Sequence, residues 1–244
     1  MSGTPTTGTM PRDLVQWRAR ADAIVETLSA VTQSFRDTDP AHPHHIHQLF
    51  SELYLCTTRR WLAGLACRDD SEYAYRVMCH FLQFYHDEVL DRLDHPPDRI
   101  VRHWRPYHRL SRHLSIRSPI SAHLLLISLG ARAHTHGDLG RAMCRTAKDM
   151  GLGAQTSPGL QGSHLKIFGQ IADQAFYLAA HDYVALHRAR QRGWRRGVLS
   201  SYRVGLSGLK SVWLPVFQTW RINGYALASA ALAAQASPLV VKEG

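Results

Sequence analysis

A single-domain, all-α bundle of about seven to nine helices around one central apolar helix is the fold this sequence predicts. Three observations lead there. Apolar residues recur at spacings of three and four along most of the chain, and no stretch alternates with period two. Proline, glycine and short polar clusters interrupt that pattern at helix-length intervals. The 244 residues, 45% hydrophobic and 20% charged, suffice for one sizeable core and are few for two.

Residues 1–10 are polar and threonine-rich, without the basic start or apolar run of a secretory signal, and are expected to be disordered. Pro11 sits well as the first residue of a helix reaching about Gln33, amphipathic through Leu14, Trp17, Ala21, Ile24 and Leu28. After a turn-rich linker from Arg36 to Pro43, a second helix is expected to about Leu65, carrying Leu49, Phe50, Leu53, Tyr54 and Trp61. A polar break at Cys67–Asp70 leads to a third, Glu72 to Leu93. His95-Pro96-Pro97-Asp98 is a stop followed by a cap, with a short fourth helix from Asp98 that Pro106 kinks or ends. Ser118-Pro119 opens the central helix, whose run Leu124 to Leu129 is apolar on every side, the mark of an enclosed helix.

Residues 150–162 read as loop, and a long helix follows from Ser163 to about Arg192. Gly193, Gly197, Gly205 and Gly208 predict a broken helical segment, with Tyr202 and Trp213 packing inward. A last helix from about Pro215 to Gln235 leads to a loose tail at 237–244, leaving 11–236 as the helical domain. The apolar run Tyr225 to Ala236 is too short to span a bilayer, so a cytoplasmic protein with no membrane partner is expected. The aromatic and alanine-rich last helix leaves room for a homodimer.

The formal charge of +10 comes from 25 arginines and 4 lysines against 19 acidic residues, much of it in Arg99 to Arg117 and Arg188 to Arg203. A solvated basic face is the first reading, and binding of an anionic small molecule the second, because arginine suits carboxylate and phosphate. Nucleic acid is not expected, since no helix-turn-helix, zinc-finger or RNA-binding signature accompanies the charge. Cys56, Cys67, Cys79 and Cys144 form no C-x-x-C pair and read as reduced thiols in the core.

The chemistry concentrates at the end of the central helix, in Arg132-Ala133-His134-Thr135-His136-Gly137-Asp138. If the helix continues through Gly137, His134 and Asp138 share a face, as an oriented general base with its carboxylate or as two ligands of a divalent metal. If instead the helix ends near His136, Asp138 is the N-cap of the next helix. A second polar cluster, Gln83, His86 and Asp87, stands among Phe81, Phe84 and Val89, and one reading turns Asp87 or His86 toward His134 across a cavity. His44 and His47, three apart, read as surface histidines before metal ligands, and the adjacent His181-Asp182 only faintly echoes the HD-type phosphohydrolases. No element offers three well-spaced ligands, so no metal is expected, and without a glycine-rich nucleotide loop no cofactor is expected either. No G-x-S-x-G nucleophile motif occurs.

Four segments are similar, in order and spacing, to those of a mostly actinobacterial family called domain of unknown function 5995. Phe50-Ser51-Glu52-Leu53-Tyr54-Leu55-Cys56-Thr57 resembles its "FNxxYLxVT", Phe81-Leu82-Gln83-Phe84-Tyr85-His86-Asp87 its "FANLYFDAV", and Trp104-Arg105-Pro106-Tyr107 its "W-x-P" segment. Arg132 to Gly140 resembles "NAHIN-x-DLP", with Arg132 and His136 where that motif has asparagines and Gln83 replacing a third. The resemblance spans residues 11 to 150 and carries over Phe81, Tyr85, Asp87, His134, Asp138 and Leu139. It implies a diverged member with a retuned polar cavity, in specialised natural-product metabolism.

Together these readings give an enzyme acting on a small molecule by acid–base catalysis, through cyclisation, ring-opening, elimination or hydrolysis. His134, Asp138 and Asp87 are its expected catalytic residues. His136, Arg132, Gln83, Tyr85, His86 and His123 are expected to bind substrate. A metal-dependent helical hydrolase and a non-catalytic helical binding protein are the alternatives.

Overall fold

The structure, a computed structural model, describes residues 12–66, 68, 71–151, 163–190, 193–208 and 210–236. They form α1 (Arg12–Asp37), α2 (Gln48–Leu65), α3 (Glu72–Glu88), α4 (Arg105–Ser111), α5 (Ile120–Arg132), α6 (Leu139–Asp149), α7 (Ser163–Arg190), α8 (Trp194–Gly208) and α9 (Lys210–Ala236), with no strand among the described residues. Short 3-10 turns occupy Pro43–His47, Leu90–Arg92 and Pro97–Arg99, and a π-helical segment, Ala133–Asp138, joins α5 to α6. The chain is thus the all-α single-domain bundle expected. The expectations for residues 1–10 and 237–244, the inward side chain of Tyr202 and nearly all of the loop at 150–162 fall outside the described residues.

The enclosed helix is α2. Every residue from His45 to Leu55 is buried, because α1, α5 and α7 pack around it. The expectation gave that central place to α5, whose apolar run is enclosed only in part. Leu126 and Ile127 are buried, but Leu125 is 53% exposed. The start of α5 packs on α2 and α4 and presents its other side outward. What hides α2 in the sequence is its polar content, which folding satisfies from neighbouring helices. Buried Glu52 takes Arg36 Nε of α1 at 2.6 Å, Arg190 Nη1 of α7 at 2.6 Å and His187 Nε2 of α7 at 2.5 Å.

Pro106, expected to kink or end a helix, instead begins one. It stands in the first turn of α4, where its missing N–H has no intrahelical partner to lose. Helix α3 stops earlier than expected, at Glu88, and the Arg92 guanidinium donates back to the Asp87 carbonyl at 3.0 Å. The glycine-bearing segment forms α8, and Trp213 stacks on Tyr177 at 5.8 Å and 13°. Where α9 crosses the π segment and α6, two glycines allow contact between backbones. A Cβ on Gly140 would lie 2.7 Å from the Gly224 carbonyl oxygen, and one on Gly224 would lie 3.0 Å from that of Thr135. Among the described residues, no helix is long and apolar enough to cross a membrane.

Candidate functional site

Between α5 and α6 the helix widens by one residue instead of ending, so the Leu139 N–H bonds to the His134 carbonyl, five residues back. Single π turns of this kind cost hydrogen-bond geometry and recur at functional sites. Asp138 makes no side-chain cap bond at the start of α6, so the N-cap reading does not hold. Its carboxylate serves side chains instead. Oδ2 accepts from His134 Nδ1 at 2.9 Å and from Trp104 Nε1 at 2.9 Å, and Oδ1 meets His103 Nε2 at 2.7 Å and Arg141 Nη1 at 3.4 Å.

Burial alone would raise the Asp138 carboxyl, but hydrogen bonds from His103 and His134 outweigh it and hold the group below the usual carboxylate range. His134 is pushed down by burial, against the opposing pull of Asp138, and is therefore neutral near pH 7. With a carboxylate on Nδ1, the neutral imidazole carries its hydrogen there and leaves Nε2 as a bare acceptor. That Nε2 is buried and has no hydrogen-bond partner.

His134 lines an apolar cavity of about 70 Å³, whose walls include Phe50, Tyr54, Phe81, Phe176 and Phe217, with Arg221 among its few polar groups. The Phe81 ring stacks on the imidazole at 3.4 Å and 13°, and Tyr54 meets it edge-on at 4.6 Å. Arg221 is held by both oxygens of Asp173, Nε to Oδ1 and Nη2 to Oδ2 at 2.9 Å each. Burial raises the hydroxyls of Tyr54 and Tyr85, so both are neutral there.

The opposite side of the π segment faces a wider groove of about 910 Å³, lined by Arg102, His103, Arg132, His136 and Arg141 among others. Gly137 lets the His103 ring close on it, since a Cβ there would lie 2.3 Å from His103 Cδ2. Asp138 therefore joins a buried apolar cavity to a basic groove.

The structure brings His134 and Asp138 together as the helical spacing required, and separates the other expected site residues. Arg132 and His136 line the groove, on the far side of the π segment from the His134 cavity. Tyr85 is buried in the aromatic layer, its ring 5.9 Å from that of His134. Asp87 does not reach the cavity. It lies on the outer face of α3, 48% exposed, where Gln83 Nε2 donates to it at 2.7 Å and His86 Nδ1 lies 3.6 Å away. The α3 face carrying Phe81, Tyr85 and Glu88 is the inward one, and Gln83, His86 and Asp87 fall opposite it. His123 lies near the start of α5, its Nε2 2.9 Å from the Ser115 carbonyl oxygen and away from His134.

His103, Trp104 and Glu88 were not singled out as site residues by sequence reasoning. Trp104 alone had a signal, in the W-x-P segment. His103 stood among the arginine-interleaved histidines, and nothing in its spacing ties it to Asp138.

No curated protein and no solved structure matches the chain. Residues 21–180 match the family of unknown function DUF5995, and with more than half its length covered the chain belongs to that family.

Proposed function

We propose that the protein is a cofactor-independent acid–base enzyme whose substrate places an apolar ring or chain in the His134 cavity. The observation that carries this reading is the His134 ring itself, which lines the apolar cavity with Nδ1 fixed on Asp138 and Nε2 buried and unpartnered. A buried acceptor without a partner costs about 1–3 kcal/mol, which a purely structural histidine would avoid. A neutral imidazole in that position takes a proton from substrate at Nε2. The imidazolium so formed is stabilised by Asp138 at Nδ1, and the proton returns to another substrate atom. Cyclisation, elimination, ring-opening and hydrolysis all use such a transfer. Phe81 and Tyr54 hold the ring orientation, and Trp104 and His103 hold the carboxylate.

The substrate is expected to be a small molecule of specialised metabolism with an apolar end. Incubating wild-type protein with a metabolite extract of the source organism should yield products seen by mass spectrometry. His134→Ala should lose them, by about two to four orders of magnitude in rate. Toluene or phenol should bind the cavity of the wild type, and bulky Ala131→Trp should block it. Binding without turnover in the extract would favour the non-catalytic binding protein, and turnover surviving in His134→Ala would remove the base.

A further inference from the structure

Asp138 Oδ1 meets His103 and Arg141 rather than His134, and beside them stands Glu88, which the proposed proton transfer does not use. Glu88, the last residue of α3, arrives there from the other side with its side chain only 7% exposed. Its Oε1 pairs with Arg141 Nη1 at 2.5 Å. Its Oε2 is buried without a hydrogen bond and lies 3.6 Å from His103 Nε2. One ligand atom each from Glu88, His103 and Asp138 lie within 4.8 Å of one another. Two carboxylates buried this close repel, and Arg141, 42% exposed, reaches both, Glu88 Oε1 at 2.5 Å and Asp138 Oδ1 at 3.4 Å, while Glu88 Oε2 keeps no hydrogen bond.

We infer that Glu88 Oε2, His103 Nε2 and Asp138 Oδ1 form a binding site for one divalent transition-metal ion of the zinc, manganese or iron(II) type, open to the basic groove. One imidazole nitrogen with two carboxylate oxygens suits those ions. Three protein ligands leave a position free for an exogenous ligand. The three ligands come from the end of α3, the segment before α4 and the π segment, so the fold assembles what no single element carries. Trp104 and His134 on Asp138 Oδ2 are the outer hydrogen bonds that orient a ligating carboxylate. Bond lengths of about 2.0–2.2 Å at tetrahedral angles put ligand atoms about 3.4 Å apart. His103 Nε2 and Asp138 Oδ1, now 2.7 Å apart, must separate by about 0.7 Å to admit the ion, which takes the place of the hydrogen between them. His103 lines the groove together with Arg102, Arg132, His136 and Arg141, so an anionic oxygen is the ligand class that fits a free position on that side.

This site lies across the π segment from the cavity and does not rest on His134 acting as a base. Its test is direct titration of untagged, chelator-treated full-length protein with Zn2+ and Co2+, by calorimetry and by the visible absorption of cobalt. The wild type should bind one equivalent, and Glu88→Gln and His103→Ala should each weaken binding at least about tenfold, since even outer-sphere partners cost 10–100-fold. His86→Ala, in the exposed His86, Asp87 and Asp91 group, should leave it unchanged. X-ray absorption of the wild-type complex should give one imidazole with oxygen neighbours, a readout independent of whether the variants fold. No saturable binding, binding that survives both ligand substitutions, binding lost in His86→Ala, or a shell of several imidazoles would overturn the inference.

Discussion

Asp138 is surrounded by His134, His103, Trp104 and Arg141, which place a donor or cation against both its oxygens. An asparagine there would turn an NH2 group toward at least one of those donors. Asp138→Asn should therefore lower stability by about 1–3 kcal/mol for each polar group left unpaired, measured by denaturant unfolding, as well as removing turnover. A residue serving only as a helix cap would tolerate asparagine almost silently, so the substitution separates the two roles. The His134–Asp138 pair was legible in the sequence because four residues along a helix is a local relation. The other two donors nearest Asp138, His103 and Trp104, stand 35 and 34 residues away, and no periodicity reports such a distance.

Helix α2 is organised around one buried charge. Glu52 lies within 2.6 Å of Arg36 and of Arg190 and 2.5 Å from His187, tying α1 and α7 to it. Burial opposes its ionisation, but hydrogen bonds from His187 and Arg190 prevail and hold it low, at about 2. Removing one partner of a buried ion cluster leaves the others uncompensated, so Glu52→Ala should cost about 3–5 kcal/mol by equilibrium unfolding. Arg190→Ala, at a 38% exposed position, should cost far less. Helix existence was readable from spacing throughout, while the choice of central helix was not. Sequence hydrophobicity favours Leu124 to Leu129, whereas Gln48, Ser51 and Glu52 make α2 look half-solvated until their partners are in place. The α3 face was misassigned for a related reason, since the apolar neighbours of Gln83, His86 and Asp87 in sequence lie across the helix from them.

For the molecule as a whole, acidity acts through histidines buried in the neutral form. Burial first, then the neighbouring His108 and His44, depresses His47 to about 3, and burial, then Arg112, depresses His108 to about 4, against an ordinary value of 6.5. His47 Nδ1 lies 2.9 Å from the Tyr107 hydroxyl, buried where the Pro43–His47 turn meets α4. Below pH 6.5 the unfolded chain binds protons that the folded one excludes, so the stability present above that pH is lost as pH falls toward 4 and 3. At pH 5 the loss is about 1–2 kcal/mol for each histidine. The melting temperature should fall from pH 7 to pH 5, and His47→Gln should flatten that slope.

A proposed base at His134 is neutral at pH 7, with its hydrogen on Nδ1 and a free lone pair on the buried Nε2. Long-range 1H–15N correlation on protein with 15N-labelled histidine reads this directly at pH 7. A pyrrole-type Nδ1 and a pyridine-type Nε2 are expected for His134, with the Nε2 resonance moving when phenol fills the cavity and staying fixed in Ala131→Trp. A hydrogen on Nε2, a doubly protonated ring, or an Nε2 signal indifferent to phenol that binds the cavity would contradict that proposal.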